Sequence, residues 1–108
     1  MERQMEIGMI FIKGRYVYLV PFFPSVPRAY GKLAWRFKVV DYGVFYVDGV
    51  GEVEGLEKAI KACMSDEAEL LYPPKNARRH IYLWPKDSNI KSIASRIRYE
   101  LTALGYEP

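Results

Sequence analysis

The sequence predicts an α+β domain, a largely antiparallel β-sheet with about three helices packed on it. Three observations lead there. Alternating apolar runs are punctuated by X-Gly pairs, the mark of hairpins. Two later stretches carry apolar residues at i, i+3, i+4 and i+7, the mark of helices with one buried face. No repeat, low-complexity stretch or linker divides the 108 residues, so residues 1–108 read as a single domain.

Glu6 to Val20 reads as a hairpin. Ile7, Met9 and Phe11 alternate with Gly8, Ile10 and Ile12, and Lys13-Gly14 supplies the turn. On the return strand Val17 and Leu19 share one face, Tyr16 and Tyr18 the other. Pro21, Pro24 and Pro27 then argue against a central strand, because proline has no N–H for the ladder. An ordered loop is expected instead, with Ser25 capping a short helix that runs towards Trp35. Phe37 to Val47 is β-rich with a break at Asp41-Tyr42-Gly43, and Asp48-Gly49 turns into a short strand through Val53.

Glu54 to Met64 is expected to be a helix with the stripe Leu56, Ala59, Ile60 and Cys63. Glu69 to Tyr72 is a short strand stopped by Pro73-Pro74, and His80 to Trp84 another, stopped by Pro85. On the latter, Ile81 and Leu83 face the core and His80, Tyr82 and Trp84 the opposite side. Asp87 or Ser88 caps the last helix, whose apolar face is Ile90, Ile93, Ala94, Ile97, Leu101 and Leu104 and which Gly105 ends. Phe11, Val17, Leu19, Phe45 and Ile81 are the expected core.

Half of the residues are apolar, enough for a core without staples. The single cysteine, Cys63, forms no internal disulfide, and His80, the single histidine, stands far from it, so no zinc-ligand spacing and no cofactor is expected. The charged start Met1-Glu2-Arg3-Gln4-Met5-Glu6 is unlike a signal peptide, and no apolar run nears the ~20 residues needed to span a bilayer. A cytoplasmic protein is expected. Amides and thiols are scarce (Gln4, Asn76, Asn89, Cys63) while charged residues make up 27%, a bias found in heat-adapted proteins.

Charge is segregated along the chain. Lys13 to Val40 holds six basic residues and no acid, and Lys75 to Arg98 holds seven basic residues and one acid. Asp41 to Glu69 between them holds eight acids and two lysines. Such blocks create a field, and two basic blocks that met in space would suit a polyanion. The basic blocks are also aromatic. Arg15, Tyr16, Tyr18, Phe22, Phe23, Arg28, Lys32, Trp35, Arg36 and Lys38 interleave in the first, and Arg78, Arg79, His80, Tyr82 and Trp84 in the second. Unpaired bases stack on aromatic rings while cations follow the phosphates, whereas duplex DNA hides its base faces. These fifteen residues are the candidate contacts with single-stranded DNA or RNA. Phe22, Phe23, Trp35, Tyr82 and Trp84 are the stacking candidates.

Phe22-Phe23, Trp35-Arg36-Phe37-Lys38 and Arg78-Arg79-His80-Ile81-Tyr82-Leu83-Trp84, in a short α+β chain without an oligonucleotide-barrel signature, resemble the ThermoDBP-related proteins of hyperthermophilic archaea. That resemblance implies single-stranded DNA binding with little sequence preference, in a cleft between sheet and helices lined by basic and aromatic groups. The parent proteins carry an added C-terminal dimerisation helix. Here the last helix is an ordinary one, which leaves a homodimer open.

No phosphate-binding glycine loop, C-x-x-C or H-E-x-x-H motif points to an enzyme, and no serine sits in a nucleophile elbow. The sharpest catalytic alternative is a metal-independent ribonuclease in which His80 is general acid or base and Arg79 and Tyr82 stabilise developing charge. A third class is a subunit that binds another protein through the acidic segment.

Overall fold

The computed structural model describes residues 6–22, 33–75, 82–83 and 89–106. Strands β1 (Glu6–Lys13), β2 (Tyr16–Phe22), β3 (Trp35–Asp41), β4 (Val44–Val47) and β5 (Gly51–Glu54) form an antiparallel meander. Helix α1 (Leu56–Cys63), the two-residue strand β6 (Tyr82–Leu83) and helix α2 (Ile90–Ala103) follow. The sheet order is β5-β4-β3-β2-β1-β6, so the chain returns to pair with its own first strand.

The α+β class is as expected, but the described residues hold two helices where about three were expected. The predicted helix from Ser25 lies mostly outside the described residues, and its intended end, Trp35, begins a strand. Residues 69–72 contribute only an isolated bridge, Ala34 to Leu71, closed by reciprocal N–H···O bonds of 2.7 and 2.8 Å.

Pro21 and Phe22 continue β2 instead of starting a loop. Among the described residues the pairing of β2 with β3 stops at Leu19↔Trp35, so there Pro21 has a partner only on the β1 side and its missing N–H breaks no two-sided ladder. The register shifts between Ile7 and Met9, leaving Gly8 as a bulge beside Pro21.

Both helices pack on one face of the sheet. Ile10, Ile12, Val17, Leu19, Trp35, Phe37, Val39, Phe45 and Val47 meet Leu56, Ala59, Ile60 and Cys63 of α1 and Ile93, Ala94, Ile97 and Leu101 of α2. Phe37 and Phe45 cross edge to face, with centroids 5.5 Å apart. Phe11, an expected core residue, instead belongs to the other face, where it packs half-buried with Tyr18, Val20 and Ala34. Strand β1 is apolar on both faces, so its alternation does not choose. The pairs Ile10↔Leu19 and Ile12↔Val17 do.

Helix α2 is capped by Asn89, whose side chain accepts from the Ser92 N–H at 2.9 Å, instead of by Asp87 or Ser88. At its other end Gly105, at φ 90°, donates to the Thr102 carbonyl and Tyr106 donates to the Leu101 carbonyl. This paired closure needs the left-handed conformation that glycine adopts freely. It turns Tyr106 back onto the core, and leaves Leu104 exposed, off the apolar face assigned to it. Among the described residues, no helix is long and apolar enough to cross a membrane.

Candidate nucleic-acid interface

Residues paired across an antiparallel sheet share a face. Following the pairs on the face away from the helices gives one row across five strands: Lys13, Tyr16, Lys38, Tyr46, Glu52. Cation and ring alternate along it until the acid on β5. Strands stand about 4.8 Å apart, so like members of the row recur at about 10 Å. A second row holds Phe11, Tyr18 and Arg36.

The rows cooperate. The Arg36 guanidinium sits 4.6 Å from the Tyr16 ring centroid and the Lys38 ammonium 5.7 Å from it, which places both cations against the negative face of the ring. Arg36 is held there by Asp48. Its Nε donates to Oδ1 at 3.2 Å and its Nη2 to Oδ2 at 2.6 Å, a bidentate pair. That hydrogen bond raises the Arg36 pKa further, against the opposing effect of burial. Because Asp48 neutralises it, Arg36 is a brace for Tyr16 and not the free phosphate contact expected.

Lys13, Arg15, Tyr16, Tyr18, Lys38 and Pro74 line an open depression of about 550 Å³ on this face. Among the described residues, no carboxylate lines it. Lys13 and Arg15 are exposed at the β1–β2 turn, and Tyr16 and Lys38 are half-buried. Tyr18 is 5% exposed and so is floor, not platform, a correction to its expected contact role. The Tyr16 and Tyr18 rings lie 6.4 Å apart, tilted by 38°.

Trp35, named as a stacking candidate, is corrected outright. It is 1% exposed and faces the helices beside Phe37. Strand alternation separates it from Arg36 and Lys38, its neighbours in sequence. Its indole N–H meets no acceptor among the described residues.

Phe23, Arg28, Lys32, Arg78, Arg79, His80 and Trp84 lie outside the described residues, and for Phe22 and Tyr82 only the backbone is described. The register sets Tyr82 opposite Ile10 and Leu83 opposite Met9. The structure therefore brings together Arg15, Tyr16, Tyr18, Arg36 and Lys38 of the expected set. It adds Lys13, counted in the first basic block but not among the fifteen candidates, and Tyr46, which is 46% exposed. Both could have been found by carrying the turn positions through to a strand register, since Lys13-Gly14 and Tyr42-Gly43 fix which residues face each other.

Burial pushes the Cys63 thiol up to about 12, so at neutral pH it is neither nucleophile nor ready ligand. Among the described residues, no three His, Cys, Asp or Glu side chains group so as to hold a metal ion. No protein-family model, curated protein or solved structure matches the chain.

Proposed function

We propose that the protein binds single-stranded nucleic acid across the helix-free face of its sheet. The observation that carries this reading is the depression where Lys13, Arg15 and Lys38 surround Tyr16, with no carboxylate among its described lining residues. Three cations suit consecutive phosphates, and rings on the same row suit unstacked bases, each worth about 1–3 kcal/mol. Tyr16 is pre-set by Arg36 and Lys38, so little ordering cost remains when a base arrives. The acid on β5 bounds the path, because Glu52 follows Tyr46 on the row and repels phosphate.

Fluorescence anisotropy of labelled single- and double-stranded oligonucleotides at several salt concentrations tests this. Single strands should bind more tightly, with log K falling against log salt at a slope of about −2 for three phosphate contacts. Lys38→Ala should lower that slope by about 0.7, and Tyr46→Ala should weaken binding by about 1 kcal/mol without changing the slope. Preference for duplex, or affinity indifferent to salt, would refute the reading.

A further inference from the structure

Arg15 lines a second depression, of about 340 Å³, where the β3–β4 turn meets the end of α2. Its other walls, among the described residues, are Val39, Val40, Asp41, Tyr42, Gly105 and Tyr106. Each is set there by local structure. The register of β3 shifts between Val39 and Asp41, leaving Val40 unpaired in a bulge. The closure at Gly105 delivers Tyr106, and the Arg15 guanidinium lies 5.2 Å from that ring while Nη1 donates to the Val39 carbonyl at 3.4 Å. Tyr42 is 72% exposed at the turn.

Among the described residues, this hollow differs chemically from the first in having a carboxylate. Asp41 Oδ1 accepts the Tyr42 N–H at 2.8 Å, which orients the group and leaves Oδ2 as an acceptor among the described residues. A carboxylate repels phosphate and accepts hydrogen bonds from amino groups. Aromatic and aliphatic walls suit a flat ring. Arg15 is common to both hollows, so a strand whose phosphates lie along the first can turn a base into the second.

We propose that this second depression is a nucleobase subsite that favours bases with an exocyclic amine, such as cytosine, over thymine and uracil. The proposal rests on the single-strand reading above and replaces indifference to sequence with a preference at one position. Cytosine offers Asp41 an amino group where uracil offers a carbonyl oxygen.

The test uses oligodeoxycytidine and oligodeoxyuridine of about 12 nucleotides, a length within the range of single-strand sites. The wild-type protein should bind the cytidine oligomer about three- to tenfold more tightly, the worth of one hydrogen bond partly open to water. Asp41→Asn should abolish or reverse the preference, because its oxygen still accepts the Tyr42 N–H and the amide nitrogen that replaces Oδ2 donates, which suits the carbonyl of uracil and not the amine of cytosine. Equal wild-type affinities, or a preference that survives Asp41→Asn, would overturn the subsite and leave the single-strand reading standing. Binding of neither oligomer would refute both.

Discussion

At the scale of the residue, Trp35 shows how sequence neighbours and spatial neighbours part. In the chain it stands among Arg36 and Lys38, and in the fold it packs with Phe37, Val39 and the helices. Its buried N–H finds no acceptor among the described residues, and a buried unpaired donor costs about 1–3 kcal/mol. Trp35→Phe loses ring volume but also loses that donor, so urea unfolding should place it within about 1 kcal/mol of wild type. Trp35→Ala leaves a cavity and should cost about 3–5 kcal/mol. Neither change should alter oligonucleotide affinity in the folded protein. A stable Trp35→Ala variant that no longer binds would show the ring to be a contact after all. Arg36 carries the complementary lesson, since a cation in a basic stretch proves to be committed to Asp48.

At the scale of the element, the β4–β5 turn is a tightly fitted joint. Gly49 has φ 90°, and a Cβ there would stand 2.8 Å from the Glu69 backbone nitrogen and closer still to the Glu67 carbonyl oxygen. The Glu69 N–H donates to the Asp48 carbonyl at 2.9 Å, tying the segment after α1 to this turn. Gly49→Ala therefore meets backbone on both counts and should cost about 2–4 kcal/mol in thermal or urea unfolding. A loss below about 0.5 kcal/mol, the usual range of surface changes, would mean that the segment yields. The same element scale marks what could be read from the chain. Both described helices were legible, because Leu56, Ala59, Ile60 and Cys63, like Ile93, Ala94, Ile97 and Leu101, are buried as their stripes require. Strands β3, β4 and β5 were legible from their glycine turns. The face of β1 and the strand character of Pro21 were not, because each depends on which strand lies alongside and where that pairing stops.

At the scale of the whole molecule, the sheet order turns segregation along the chain into segregation in space. Strands β4 and β5 and helix α1, from the acidic segment, take one edge, while β3, β2 and the β1–β2 turn supply Lys38, Arg15 and Lys13. Strand β6, from the second basic segment, pairs with β1 at the other edge. The basic, aromatic character of the candidate site was legible in composition. Its membership was not, because Lys13, Tyr16, Lys38 and Tyr46 become a row only through three separate strand pairings.

The position of β6 also sets an order in time. From β1 to β5 each strand pairs with the next in the chain, so short loops close the meander and residues 6–54 can assemble before the rest. The outer edge of β1 must wait for residues 82–83, far along the chain, and among the described residues two pairs hold them there. The clasp that forms last and holds least should also open first. Native-state hydrogen exchange should show the amides of Tyr82 and Leu83 opening at a lower free energy than those between β2 and β3. Equal protection would mean instead that the molecule releases its first strand only by unfolding altogether.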